Sequence, residues 1–370
     1  MKEILFVTGT RPEIIKMAPV YLLLKEAEKD CRVSWCHTGQ HDTVADAMFS
    51  QFSIKPEITL PRPAGIGLAP LVSGLIESID RVLEEYCPDL VVVHGDTSST
   101  LAASMAAFYR SIEIAHIEAG LRSNDLRHPF PEESNRKMVA TIAEKHFAPT
   151  ELARTNLLKE GVPSENIVVT GNTVVDAQKI ICRVFSIKPK AERDNILVTV
   201  HRRENWAKLQ SISETILELA QIHPEFRFLI PLHPNPAVST VFRNTLKNIQ
   251  NVSLTAPMSY LELQRCLSRC RVAITDSGGI QEEAPGFSVP CVVLREKTER
   301  PEAISSGFAE LVGTDRAKIL EHSEDCLGKP IRHMKNPFGD GYAAQRIVNS
   351  LLDYGSGSNT IAIPKDESHA

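Results

Sequence analysis

The 370-residue sequence predicts an α/β protein built from two parallel-sheet domains, each wrapped by helices. Length is the first reason, since a chain of this size exceeds one ordinary core and suits two domains. The second is rhythm: short β-branched runs alternate with helix-period patterns along the whole chain. The third is grouping, because the strand-rich material falls into two blocks, roughly residues 1–170 and 190–330.

In the first block the strands are "EILFVTG", "LVVVHGD" and "IEIAHIEAG". Between the first two, "LIESIDRVLEEY" sets Leu75, Ile76, Ile79, Val82, Leu83 and Tyr86 on one face at helical spacing. "TVVDAQKIICRVFSIKPKAERDN" then reads as a helix followed by a basic, proline-containing connector. The second block carries "NILVTVH", "FRFLIPLH", "RVAITDSGG" and "VPCVVLRE", with a helical face at Ile212, Ile216, Leu219 and Ala220. Beyond "NPFGDG" a helix is expected from about Tyr342 to Tyr354, and "GSGSNTIAIPKDESHA" reads as a mobile tail. The expected division is a domain over 1–172, a second over 173–340, a C-terminal helix over 341–354 returning to the first domain, and a tail over 355–370. Two Rossmann-like domains facing a central cleft are the expected architecture.

Composition narrows the function. A net charge of −5 without a sustained basic block speaks against nucleic acid and anionic membrane as partners. No run approaches the roughly 18 apolar residues that span a bilayer, and "MKEILFVTGTRPE" leads directly into structure, so a cytoplasmic protein is expected. The eight cysteines are scattered. Cys266 and Cys270 lie one helical turn apart without C-x-x-C pairs, which suggests reduced packing thiols and no metal site.

Ligands of open α/β sheets bind beyond the carboxyl ends of the strands, and the unusual polar clusters fall at such ends. In "GTRPEIIK", Gly9 allows a tight turn, Pro12 suits a first helical turn, and Arg11 stands beside a helix N-terminus that favours anions. "HGDTSST" places Asp96 at a strand end, where it is either a helix cap or a functional acid, with His94 beside it. Glu118 follows the strand of "HIEAGLRS", and "HPFPEESNRK" brings Glu132 and Glu133 between prolines and a helix. Each acid alone could be a cap; three carboxylates converging would supply proton-transfer groups. "VTVHRREN" sets His201, Arg202 and Arg203 at a strand end, suited to a phosphate-bearing ligand, and "PLHPNP" adds His233. In "TDSGGIQEEA", Ser277, Gly278 and Gly279 could approach a diphosphate, while only one of Glu282 and Glu283 can face it.

Taken together, "GTRPEIIKMAP", "VVVHGDTSSTLAASMAAFY", "HIEAGLRS", "PFPEESNR", "VTGNTVVDA", "HRREN", "TDSGGIQEEAP", "TERPEA" and "NPFGDG" resemble the non-hydrolysing UDP-N-acetylglucosamine 2-epimerases, in order from about residue 3 to 352. The resemblance implies a glycosyltransferase B-type fold, conversion of UDP-GlcNAc to UDP-ManNAc for cell-surface polysaccharide, no cofactor, and a homodimer. It assigns acid/base work to Asp96, Glu118 and Glu132, with His201 as the active-site histidine. Arg11, Lys16, His201, Leu263, Ser277, Gly278, Gly279, Glu283 and Arg300 would contact the UDP-sugar, with Glu283 on the ribose.

At a second substrate site known in regulated relatives, Gln40, Glu133, Arg202 and His233 match. Thr43 and Gly65-Ile66 stand where glutamine and an Arg-Gln pair are expected, which speaks against activation by substrate. Val200 replaces a smaller residue before His201 and leaves a modified UDP-sugar open as substrate. A hydrolysing epimerase, a UDP-sugar transferase and a two-lobed binding protein are the competing readings.

Overall fold

The computed structural model describes residues 1–39, 42–65, 67–331 and 333–353; the expected tail lies outside them. Two compact units emerge, Met1–Ile180 together with the chain from Gly339 onward, and Ile181–Phe338.

The first unit runs β1 (Lys2–Thr8), α1 (Arg11–Glu26), β2 (Cys31–His37), α2 (Asp42–Gln51), β3 (Ile58–Thr59), α3 (Leu68–Tyr86), β4 (Leu90–His94), α4 (Ser98–Tyr109) and β5 (Glu113–Ile117). It continues through α5 (Glu132–Ile142), β6 (Lys145–Ala148), α6 (Glu151–Lys159), β7 (Ile167–Val169) and α7 (Thr173–Val184). The second runs β8 (Asn195–Thr199), α8 (Leu209–Ile222), β9 (Arg227–Pro231), α9 (Pro236–Leu246), β10 (Val252–Thr255), α10 (Tyr260–Leu267) and β11 (Cys270–Thr275). Then come α11 (Gly278–Glu283), β12 (Cys291–Val293), α12 (Pro301–Ser305), β13 (Ala309–Leu311) and α13 (Arg316–Gly328). The last helix, α14 (Ala343–Asp353), belongs to the first unit.

Both sheets are parallel, in the orders β3-β2-β1-β4-β5-β6-β7 and β10-β9-β8-β11-β12-β13. Strand order reverses between β1 and β4 in one and between β8 and β11 in the other. The loops that leave these four strands therefore flank the two switch points where open α/β sheets accept ligands.

Apolar strands buried on both faces hold each unit together. Leu5, Val7, Val91 and Val93 pack against Leu75, Ile79, Val82 and Leu83 of α3, while Ala102, Ala103 and Ala106 let α4 lie close. Ile196, Val198, Val272 and Ile274 meet Ile212, Ile216 and Leu219 of α8 in the second core. Each such aliphatic side chain contributes about 1.5–3 kcal/mol on burial.

Two sequence expectations need correction. Tyr86 shares the α3 stripe but is the last residue of the helix and is 41% exposed. Cys266 and Cys270 are not on one helix: α10 ends at Leu267 and Cys270 opens β11, with the two free thiols 3.7 Å apart.

Helix α14 packs on α1 and is tied to α7, where Asp176 accepts from the backbone N–H groups of Ala343 (3.3 Å) and Ala344 (3.0 Å). Among the described residues no helix is long and apolar enough to cross a membrane.

Candidate active site

In the first unit, Gly9 makes the turn out of β1. A Cβ there would fall 2.0 Å from Ser99 Oγ and 2.6 Å from Thr38 Oγ1, so only glycine lets the start of α4 close on β1. Buried Glu13 then ties the two switch-point loops together. It accepts from the Gly9 and Thr10 N–H groups at 3.0 and 2.6 Å, and from the Thr97 and Thr100 hydroxyls at 2.7 and 2.9 Å. Burial pushes its carboxyl above the ordinary range, and these hydrogen bonds oppose that shift. Arg11 opens α1 and makes no ion pair with a described residue.

Thr97 caps α4, accepting from Thr100 N at 3.1 Å, so the capping role does not fall to Asp96. Asp96 instead lies 2.5 Å from Arg136 Nη2, and its carbonyl accepts from Asn135 Nδ2 at 2.8 Å. Helix α5 thereby fastens to the loop after β4.

Glu118 takes a left-handed backbone (φ 63°), a conformation an ordinary side chain adopts rarely and at a cost. Its carboxylate lies beside Gly95, receives the Lys16 ammonium and Asn172 Nδ2 (3.2 Å), and stands 3.8 Å from His94 Nε2. Behind it, His116 donates through Nε2 to the Gly95 carbonyl at 2.8 Å; burial pushes this imidazole down to about 3 and keeps it neutral.

The adjacent acids of α5 separate sharply. Glu133 is fully buried and accepts from Ser123 N (2.9 Å), Asn124 N (3.0 Å) and Arg136 Nη1 (2.9 Å). Glu132, by contrast, keeps a buried Oε2 with no hydrogen-bond partner among the described residues.

The second unit organises its switch point around Asp276. This fully buried carboxylate accepts from His201 N (3.0 Å), Arg202 N (2.9 Å) and Asn205 Nδ2 (3.0 Å), and faces His201 Nδ1 at 3.1 Å. Desolvation lowers the His201 pKa against the pull of Asp276, and nearby Arg202, His233 and Arg295 lower it further. Arg202 has a buried Nε without a partner among the described residues; burial first, then Arg295 and Arg300, disfavour its charged form. His233 accepts from Asn235 N through Nδ1 at 3.1 Å.

Ser277 precedes α11 and lies outside any capping bond through its side chain. Gly278 is needed for a protein contact: a Cβ there would meet Arg300 Cζ at 2.9 Å. Arg300 Nε donates to buried Glu282 at 2.9 Å, while Glu283 receives Gln264 Nε2 from α10, next to Leu263. Gly279 is open enough that an added Cβ would touch only Glu283 and Ser277 at ordinary distances. Burial would raise Glu299, but Arg300, Arg295 and Arg202 hold it down to about 2.

The family model for UDP-N-acetylglucosamine 2-epimerase matches residues 24–352. The chain belongs to the UDP-N-acetylglucosamine 2-epimerase family. A relative named UDP-N-acetylglucosamine 2-epimerase, from Neisseria meningitidis serogroup A, is 42% identical over 95% of this chain and 99% of its own. A Neisseria meningitidis UDP-GlcNAc 2-epimerase solved with UDP-GlcNAc bound superposes at a TM-score of 0.89, with 40% identity over 95% of this chain and 100% of that one. The Methanocaldococcus jannaschii enzyme solved with UDP-GlcNAc and UDP gives 0.82 at 35% identity, over 96% of this chain and 100% of that one. Both resemble this chain in its two helix-flanked parallel sheets.

Of the residues singled out from the family resemblance, Lys16, Asp96 and Glu118 gather with the start of α5 at one switch point, and His201, Arg202, Ser277 and Arg300 group at the other. Gln40 and Ile66 lie outside the described residues, as does the Thr43 side chain. Sequence reasoning missed Glu13, Arg136, Asn172 and Gln264 as members of the site. Only Glu13 left a local signal, an acid three residues after Thr10 at a helix start.

Proposed function

We propose that this chain interconverts UDP-GlcNAc and UDP-ManNAc without net hydrolysis. The C2 proton leaves as the C1–O bond to the diphosphate breaks, giving 2-acetamidoglucal and UDP. UDP then adds back at C1 while C2 takes a proton on its other face. The sequence of steps is redox-neutral and needs no cofactor. Asp96, Glu118 and Glu132 carry the protons; Arg11, His201, Ser277, Gly278 and Gly279 stabilise the departing diphosphate; Glu283 holds the ribose, with Lys16, Leu263 and Arg300 as further contacts. The enzyme works as a cytoplasmic homodimer and supplies ManNAc-type units for cell-surface polysaccharide.

One observation carries this reading most directly: Glu132 keeps a buried carboxylate oxygen unpartnered among the described residues, one turn from the Arg136 that holds Asp96. A buried oxygen left without a donor is costly in a merely structural residue and useful in one that must exchange a proton. Substrate does not activate: Thr43, Gly65 and Ile66 lack the expected side chains, and Glu133 spends its carboxylate inside the chain. The test is incubation with UDP-GlcNAc in deuterated water. Deuterium should enter C2 of both epimers while UDP and free sugar stay scarce. Folded protein that converts substrate without C2 exchange refutes the mechanism, and stoichiometric UDP release assigns the hydrolysing reaction instead.

A further inference from the structure

The second unit carries a cavity of about 620 Å³ that takes no part in the chemistry above. It opens at the amino ends of the second sheet: Asn195 and Arg227, the first residues of β8 and β9, line it. His201 and Ser277 follow the opposite, carboxyl ends of β8 and β11, about 16 Å away along a five-residue strand.

Its walls have two chemistries. Phe185, Ile187, Leu229 and Met258 make an apolar floor. Around it stand five cations, Lys188, Lys190, Arg227, Arg265 and Arg269, none of which forms an ion pair with a described residue. Arg227 reaches only the Ser253 hydroxyl, at 3.2 Å. The sole lining carboxylate, Glu262, is engaged by the Ser259 N–H and hydroxyl at 2.8 Å.

The wall is anchored. Although the connector between α7 and β8 has no regular structure, Lys190 N donates to the Ser268 carbonyl at 2.9 Å. Buried Arg193 donates to the carbonyls of Lys190 (3.2 Å) and Phe287 (2.6 Å).

We propose that this cavity is a second anion site, separate from the UDP-sugar site, that takes a nucleoside polyphosphate: phosphates among the five cations, the flat ring on the Phe185–Met258 floor. The volume falls within the range of about 300–1,000 Å³ usual for small-molecule sites. Five cations around one such cavity match a compact polyanion better than an extended acidic peptide, which spreads its charges over about 3.4 Å per residue. Helix α10 lies between the two sites: Arg265 and Cys266 face the cavity, and Gln264 holds Glu283 on the other side. An occupant thus touches the helix that positions the residue assigned to the ribose.

The experiment titrates ATP, sodium triphosphate and an oligo-glutamate peptide into the full chain held saturated with UDP. UDP affinity is measured separately, so failure of the functional reading is visible on its own. ATP should bind alongside UDP, more tightly than triphosphate, and weaken as salt screens the cations. R265S/R269S should weaken ATP binding at least about tenfold, since each near-surface charge contributes about threefold or more, and leave UDP affinity unchanged. K188S/R227S, on the other wall, should do the same and guards against misfolding of one variant. ATP binding that UDP abolishes, or that neither double variant changes, overturns the site. Equal binding of triphosphate and ATP overturns the nucleoside assignment, and binding of the peptide but not ATP overturns the ligand class.

Discussion

Asp276→Asn would expose how much of the second switch point hangs on one buried carboxylate. Asp276 Oδ2 accepts from Arg202 N and Asn205 Nδ2, the His201 N–H is shared between Oδ1 (3.0 Å) and Oδ2 (3.1 Å), and Oδ1 faces His201 Nδ1. Asparagine has one acceptor oxygen. If that oxygen stays with Arg202 and Asn205, the NH₂ group takes the place of Oδ1, so the Oδ1 half of the shared His201 N–H bond and the contact with the imidazole are lost while the remaining bonds become neutral. With about 1.5–3 kcal/mol for each hydrogen bond to a charged group, the loss is about 3 kcal/mol, or about 6–12 °C in the melting of a unit this size. The substitution also removes the carboxylate that holds the His201 pKa up against burial, so the imidazole titrates at lower pH. Melting curves and UDP affinity measured from pH 5 to 8 read both effects. The affinity profile should move to lower pH, in the direction that leaves less imidazolium at any given pH. A variant with wild-type melting and an unmoved profile would refute the assignment of Asp276 as the organiser of this loop.

Glu132→Gln should reduce turnover about 10²–10⁴-fold with UDP affinity retained; unchanged turnover would demote Glu132 to a first-turn helix acid. Gly278→Ala drives a Cβ into the Arg300 guanidinium, so UDP affinity should fall about tenfold, read by calorimetry. Asp176, lifted by burial from 3.8 to about 6, holds more protons folded than unfolded between those values. Its neutral form avoids the cost of a buried charge, so its contribution to stability is fully present below about pH 4 and is lost as pH rises through 6. From pH 4 to 7.5, Asp176→Asn should gain up to about 3 kcal/mol relative to wild type; parallel melting at all pH values would contradict the shift.

The strands that the sequence made plain, β1, β4, β5, β8, β9, β11 and β12, are all inner ones, because parallel strands covered on both faces read as continuous apolar runs. The outer strands β3, β7 and β13 are two or three residues long, too short to impose a period, and β2 mixes Cys, Arg, Ser and His. Motif acids were likewise visible, but not their partners. Arg136 meets Asp96 across forty residues, and Asn172 meets Glu118 across fifty-four, distances over which no local pattern operates. The period seen for α3 also failed at Tyr86, the exposed last residue of the helix.

The acids at the switch points can be separated by what their oxygens already do. Glu13 and Glu133 each receive three or more donors from two chain segments, and Asp276 receives three from the loop after β8; in each case two of the donors are backbone N–H groups. A carboxylate so engaged is a clamp, because moving it or protonating it would release several donors at once. Glu282 is held through one oxygen by Arg300, which explains why two consecutive glutamates follow the Gly pair: one sets the arginine and the other meets Gln264. Glu132 is the reverse case, with a buried oxygen that no donor of a described residue satisfies. Clamps such as Glu13 join the loops of β1 and β4 through contacts within the chain alone. On this logic, substituting a clamp should lower stability and turnover together, whereas Glu132→Gln should lower turnover and leave the melting temperature at or above that of the wild type.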